Sequence, residues 1–204
     1  MILNKNELEQ KILPSVPLLK KYWNLLLLWQ KSVNLISSKT IENGWERHIL
    51  DSAQLYFFIE NQQHTLMDVG SGGGLPAIVL AILNKELKGS LNKIMLVESD
   101  LKKCLFLKEC ARQLCLNIDV QRERVENISF VPDVLTARAF APLKELLKLV
   151  EKNVSRETIL ILPKGKNVET ELANLTGNWS VDQVKNIVNS DGYILKVKKG
   201  RTHD

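Results

Sequence analysis

From Thr65 onward the hydrophobic pattern switches repeatedly between two periods. Apolar runs of strand length at 65–69, 93–97, 117–121, 134–138 and 158–163 are interleaved with stretches at 76–86, 100–115, 142–153 and 167–175, whose apolar residues recur at helical spacing. Repeated strand and helix units predict a parallel, doubly wound α/β sheet. Val181 to Val188 and Tyr193 to Lys199 then alternate around Asp191-Gly192, a dipeptide suited to a tight hairpin. Seven strands result, the sheet ending in an antiparallel hairpin. Residues 1–64 contain no strand pattern. Apolar residues there recur at helical spacing in 16–33 and 42–62, after a short helix from Lys5 to Leu13 set off by Pro14 and Pro17. The expected organisation is an N-terminal helical extension, 1–64, packed on an α/β core, 65–204.

The most informative stretch joins the first core strand to its helix. Asp68-Val69-Gly70-Ser71-Gly72-Gly73-Gly74-Leu75-Pro76 stops a strand on an acid, crowds four glycines into five positions and restarts as a helix. Glycine lets the backbone take positive φ and lets a ligand approach the main chain. Alone, such a turn is a weak signal. The second strand adds to it by ending on Glu98, roughly 20 residues past the glycines, where folds of this kind place an acid to hold ribose hydroxyls. That geometry suits a nicotinamide dinucleotide or S-adenosylmethionine. Asp68 near the pocket floor would repel a pyrophosphate but tolerate a cationic methionyl amine. The reversed last strand also favours a methyltransferase over a dehydrogenase.

Charge and cysteine content narrow the class only slightly. A net charge of +5 and a pI near 9.0 permit a nucleic acid partner without demanding one. Cys104, Cys110 and Cys115 lack metal-ligand spacing and are odd in number, so no metal site and no disulfide framework is expected. The apolar run Leu25 to Trp29 is far too short for a membrane span, and no signal-peptide layout precedes it, so a cytoplasmic protein without a membrane partner is expected. Arg47, His48 and Asp51 share one face of the predicted third helix and form either a polar cluster at a ligand or a solvated surface. Asn34 reads by default as a helix-ending residue.

The chain resembles the RsmG (glucose-inhibited division protein B) family of bacterial 16S rRNA guanine-N7 methyltransferases. The resemblance is carried in order by Asn34-Leu35, Arg47-His48-Ile49-Leu50-Asp51-Ser52, the stretch Asp68 to Pro76, Lys102-Lys103, Phe106-Leu107, Arg124-Val125-Glu126, Arg138-Ala139 and Lys164-Gly165. It implies a class I S-adenosylmethionine-dependent methyltransferase, Rossmann-like, with a seven-stranded sheet, an antiparallel C-terminal hairpin and preceding N-terminal helices. The implied reaction moves a methyl group from S-adenosyl-L-methionine to N7 of guanine 527 in 16S ribosomal RNA, on RNA, an assembly intermediate or the small subunit. By this resemblance Asp68, Gly70, Gly72, Leu75, Glu98, Val125, Glu126 and Arg138 hold the cofactor, and Asn34, Arg47 and Lys164 face RNA. His48, Asp51 and Arg138 are candidates for positioning, with no catalytic residue assigned, and a monomer is expected. Arg138 has three candidate partners: the cofactor carboxylate, an RNA phosphate or a structural acid. Lys39, Arg122, Arg124, Lys166, Lys196, Lys198, Lys199 and Arg201 complete the basic surface. The chain departs from the family pattern at Ile36, Lys39 and Ala77. It also lacks the Pro-Pro-aromatic motif of adenine amino methylation and the Pro-Cys nucleophile of pyrimidine C5 methylation.

Overall fold

The computed structural model describes residues 3–200. Seven strands form one sheet in the order β3-β2-β1-β4-β5-β7-β6. β1 (Thr65–Val69), β2 (Lys93–Glu98), β3 (Asp119–Arg122), β4 (Val134–Thr136) and β5 (Ile159–Lys164) run parallel. β7 (Tyr193–Lys199) is antiparallel to β5 and pairs with β6 (Trp179–Lys185) as a hairpin. The strand order reverses between β1 and β4, and in open α/β sheets ligands bind outside the carboxyl ends of strands at such a switch point.

Alternation along each strand divides the core in two. Leu66, Ile94, Leu96, Ile159 and Ile161 face one layer, built from the N-terminal helices with α4 (Ala77–Glu86) and α5 (Leu101–Leu114). Met67, Val69, Met95, Val97, Leu160 and Leu162 face the other, covered by α6 (Leu143–Leu149) and α7 (Val168–Ala173). Every residue of α4 from Ala77 to Leu83 is buried. A helix apolar all round needs cover on both sides. The sheet supplies one side, and α1 (Lys5–Ile12) and α2 (Val16–Gln30) contribute Leu8, Ile12, Leu19 and Leu26 to the other. N-terminal helices and sheet therefore share a single hydrophobic core.

Several element boundaries differ from the sequence reading. The helix expected over 42–62 is a π-helical turn, Trp45–Leu50, running into α3 (Asp51–Ala53) and a 3-10 segment, Gln54–Phe58. The strand expected over 134–138 stops at Thr136, because Ala139 takes φ +51 and Arg138 is drawn toward the N-terminal segment. The helix expected over 142–153 ends at Leu149, and a 3-10 turn follows in which Asn153 donates to the carbonyls of Ile128 and Phe130. The polypeptide between the hairpin strands is anchored by Asn186, whose Oδ1 accepts from the amides of Val188 and Asn189 at 2.8 and 2.7 Å.

Candidate functional site

The glycine turn leaves β1 with Gly70 at φ +67, Gly72 at +52 and Gly74 at +82. Each glycine has a separate reason. A Cβ on Gly74 would lie 2.4 Å from Ile78, and one on Gly70 would lie 2.2 Å from the Phe140 ring, whereas one on Gly72 would meet nothing nearer than a carbonyl at 3.7 Å. The space over Gly72 is open to a ligand. The turn is tied to β2 by the amides of Gly70 and Ser71, which donate to the Val97 carbonyl at 2.9 and 3.1 Å. From beneath, the fully buried Tyr22 of α2 donates its hydroxyl to the Gly73 carbonyl at 2.5 Å.

Glu98, at the end of β2, accepts from the Gly72 amide at 2.8 Å and from the Asp100 amide at 2.9 Å. Together with Gly70, Gly72, Lys103, Val125 and Glu126 it lines a cavity of about 450 Å3. Five of the predicted cofactor residues thus surround one hollow. Leu75 and Arg138 line an adjoining cavity of about 390 Å3 with Leu35, Thr40 and Arg47. A third hollow, about 580 Å3, is bounded by Arg47, Asp51, Arg138, Phe140, Lys164 and Asn186. Ala139 lines all three.

Asp68 corrects the sequence reading of a carboxylate at the pocket floor. It lines none of these three hollows, and is 1% exposed because β1 directs it, like Leu66, to the face covered by the N-terminal helices. There Oδ1 accepts from Thr136 at 2.6 Å, while Oδ2 has no partner. Burial pushes its pKa up to about 7, against the hydrogen bond from Thr136; the Ser71 hydroxyl donates to the Asp68 backbone carbonyl at 3.1 Å. Burying an unpaired charge is costly, and a proton removes it.

Arg138 lines two of the hollows and has one of its three candidate partners in place. Of the partners open to it, the structure supplies the structural acid: Nη2 lies 3.0 Å from Asp51 Oδ2 and donates to the Arg47 carbonyl at 2.6 Å, and Nη1 donates to Ser52 at 3.2 Å. Asp51 Oδ1 in turn accepts from Gln54 and Asn186 at 3.0 and 2.6 Å, linking the N-terminal segment to the hairpin connection. Lys164 is the second correction. Its ammonium pairs with Glu171 at 2.7 Å and donates to the Ala141 carbonyl at 3.3 Å, with the side chain 11% exposed, so it is no free surface cation. Asn34 and Arg47 are exposed, but only Arg47 borders the central hollows; Asn34 lines a separate shallow groove with Lys39. Arg201 lies outside the described residues.

His48 is buried and stacks on Trp23 at 6.2 Å between ring centroids. Thr40 donates its hydroxyl to the Ser37 carbonyl at 2.7 Å, so at 2.8 Å it accepts from a protonated His48 Nε2, leaving Nδ1 an unpartnered acceptor. Burial, then the charges of Arg138 and Arg47, lower the His48 pKa to about 4. The imidazole is neutral at physiological pH. Residues that sequence reasoning missed include Tyr22, Gln54 and Asn186, whose partners lie far away in the chain and leave no local periodic signal. Among the described residues, no group of three His, Cys, Asp or Glu could hold a metal, and no helix is long and apolar enough to cross a membrane.

Comparison with known proteins places these observations. The family model for GidB, rRNA small subunit methyltransferase G, matches residues 15–193. The ribosomal RNA small subunit methyltransferase G of Jannaschia sp. (strain CCS1) is 38% identical over 183 residues, covering 88% of this chain and 86% of its own. That of Rickettsia akari (strain Hartford) is 37% identical over 193 residues, covering 94% and 96%. Solved structures share the fold at low identity. S-adenosylhomocysteine-bound PaMTH1, a methyltransferase of Podospora anserina, superposes with a TM-score of 0.64 at 13% identity over 90% of this chain and 88% of its own. The ribosomal protein L11 methylase of Lactobacillus delbrueckii subsp. bulgaricus gives 0.60 at 15% identity, over 76% and 79%.

Proposed function

The chain belongs to the GidB family of rRNA small subunit methyltransferases G, and from that premise we propose that it methylates N7 of a guanine in 16S rRNA, using S-adenosylmethionine. The observation that carries this reading is the hollow that Gly70, Gly72, Glu98, Val125 and Glu126 surround, opening beside a cavity bounded by Arg47. When bound, S-adenosylmethionine supplies a methyl group on a sulfonium, and N7 of guanine accepts it without releasing a proton.

The residues present fit such a cofactor. The open space over Gly72 admits a ligand close to the main chain, and Glu98, already turned toward the Gly72 amide, exchanges backbone donors for ribose hydroxyls. The Val125 carbonyl is engaged by the Ile128 amide at 3.0 Å, so it is the Val125 backbone amide that would read an adenine edge, between apolar Val97 and Leu149 lining the same hollow. No side chain needs to take a proton. This agrees with His48 held neutral behind Thr40, and with Asp51 committed to Arg138. What the site supplies is alignment, which contributes roughly 7–11 kcal/mol in well-oriented reactions.

Arg138, Asp51 and Lys164 act as positioning residues, because their ion pairs fix the backbone between the hollows. Residues 1–64 form the helical extension that carries Arg47 and Lys39 to the RNA-facing side. The substrate is 16S rRNA within the small subunit or an assembly intermediate, in the cytoplasm. Titration calorimetry tests the cofactor: S-adenosylmethionine and S-adenosylhomocysteine bind and nicotinamide dinucleotides do not. Preferential dinucleotide binding would refute the reading.

A further inference from the structure

Phe140 stands apart from the other aromatic side chains. It is 40% exposed, whereas every other described Phe, Tyr and Trp is buried or half-buried. Its ring forms part of the wall of both the cofactor-sized hollow and the hollow bounded by Arg47. The Cδ2 edge of the ring abuts Gly70, leaving no room for a Cβ.

The backbone around it is fixed on both sides. Arg138, two residues before, is held by Asp51, Ser52 and the Arg47 carbonyl. On the far side Lys164 holds the Ala141 carbonyl, and Glu171 accepts from the Leu143 amide at 2.7 Å while pairing with Lys164. Between these anchors Ala139 sits at φ +51, a conformation disfavoured for a residue with a Cβ. Strain of this kind persists only where the surroundings over-determine it, and it clusters at ligand sites. Two ion pairs and a left-handed alanine thus hold an aromatic ring in view of solvent, although burial would stabilise it more.

A flat apolar ring at the boundary of a cofactor hollow and the hollow that Arg47 borders fits a nucleobase. We propose that Phe140 is the stacking platform for the target guanine, which lies on its exposed face with N7 turned toward the cofactor hollow. The inference rests on the guanine-N7 reading and names the residue that touches the base. Exposed bases in RNA loops are commonly stacked on aromatic side chains. A guanine methylated at N7 carries a positive charge, which the negative face of an aromatic ring attracts. Gly70 meets the ring at its Cδ2 edge, so the contact that fixes the ring does not cover its faces.

The test compares Phe140→Leu, which keeps bulk and apolarity, with Phe140→Tyr, which keeps the ring. Transfer of labelled methyl to ribosomal RNA is read alongside cofactor affinity by calorimetry. Phe140→Leu is expected to lose about tenfold to hundredfold in kcat/KM for RNA, the range that loss of one base–aromatic stack produces. Because the ring also borders the cofactor hollow, its cofactor affinity should fall by clearly less than kcat/KM for RNA, and Phe140→Tyr should keep most of the activity. A direct readout is the proton spectrum of the Phe140 ring, assigned by its absence in Phe140→Leu. Excess 7-methylguanosine monophosphate should move these signals upfield. Wild-type activity in Phe140→Leu, a loss matched by cofactor affinity, or ring signals unmoved by the nucleotide would each overturn the proposal. Total methyl incorporation reads Phe140 whichever position is modified. The identity of the methylated base reads the N7 assignment separately.

Discussion

At the scale of single residues, His48 and Asp68 are two buried groups whose pKa values the fold moves in opposite directions, to about 4 and about 7. For His48, the unfolded chain binds a proton between about pH 4 and 6.5 that the folded protein excludes; its contribution to stability is present above that window and lost as pH falls through about 4. For Asp68 the folded protein keeps a proton that the unfolded chain releases. Its contribution is present below 3.8 and lost as pH rises through about 7. Thermal unfolding across this range should show Asp68→Asn gaining on wild type as pH rises from 4 to 7, and His48→Gln losing less than wild type on acidification. Curves parallel to wild type would contradict both assignments. His48→Gln should also leave the shape of the rate profile between about pH 6 and 8 unchanged, since a group titrating near 4 is neutral throughout. Glu98→Gln addresses the cofactor: loss of charge-assisted hydrogen bonds of about 1.5–3 kcal/mol weakens S-adenosylmethionine binding about tenfold or more. Unaltered affinity by calorimetry would remove Glu98 from the site. Gly70, Gly72 and Glu98 were legible in the sequence because they sit where the first two strands end, and hydrophobic periodicity locates strand ends; Val125, in a 3-10 turn beyond β3, was named only through the family resemblance. The fates of Arg138 and Lys164 were not, because an ion pair depends on which distant elements meet.

Elements were read best where burial is one-sided or complete. Alternation in β6 and β7, continuous apolar runs in the parallel strands and the glycine break each have a direct physical cause, and those elements lie close to their expected ranges. The Arg47, His48 and Asp51 cluster was drawn on an ideal helix. A π-helical turn over Trp45–Leu50 changes that geometry, burying His48 against Trp23 and leaving Arg47 exposed. No pattern in the local sequence announces it. A Cβ on Gly44 would overlap the Trp23 indole at 2.2 Å, so the entry to this turn is a packing contact with α2. The glycine turn gives the sharpest test at this scale. Gly70→Ala must hold φ near +67 and displace the Phe140 ring, and the left-handed backbone alone costs about 1–2 kcal/mol. It should lower both the melting temperature and cofactor affinity. Gly165→Ala, where no atom lies within 4 Å of the new Cβ, should retain wild-type stability and cofactor binding. Equal behaviour of the two variants would show that the Gly70 conformation is not required.

For the whole molecule, the consequence of the architecture is that the sheet joins two core layers, one packing the N-terminal segment and the other lining the cofactor hollow. Tyr22 and Leu35 from that segment support Gly73, while the same segment presents Arg47 and Lys39. Fold class was legible because strand and helix alternation dictates a doubly wound sheet. The shared core was foreshadowed only by the apolar character of α4 on all sides. With a net charge of +5, RNA affinity should fall as salt rises, with a log-log slope set by the phosphates neutralised, while cofactor affinity changes little. Parallel salt dependence of the two would argue against a basic RNA surface. The central claim is methyl transfer to guanine N7, and it is tested most directly by mapping the product. Small subunits lacking the modification are incubated with the purified protein and S-adenosylmethionine, then their 16S rRNA is reduced, cleaved chemically at 7-methylguanine and read by primer extension. The account predicts a new cleavage at one guanine, dependent on both protein and cofactor; methyl incorporation without such cleavage, or no incorporation into any small-subunit RNA, would contradict it.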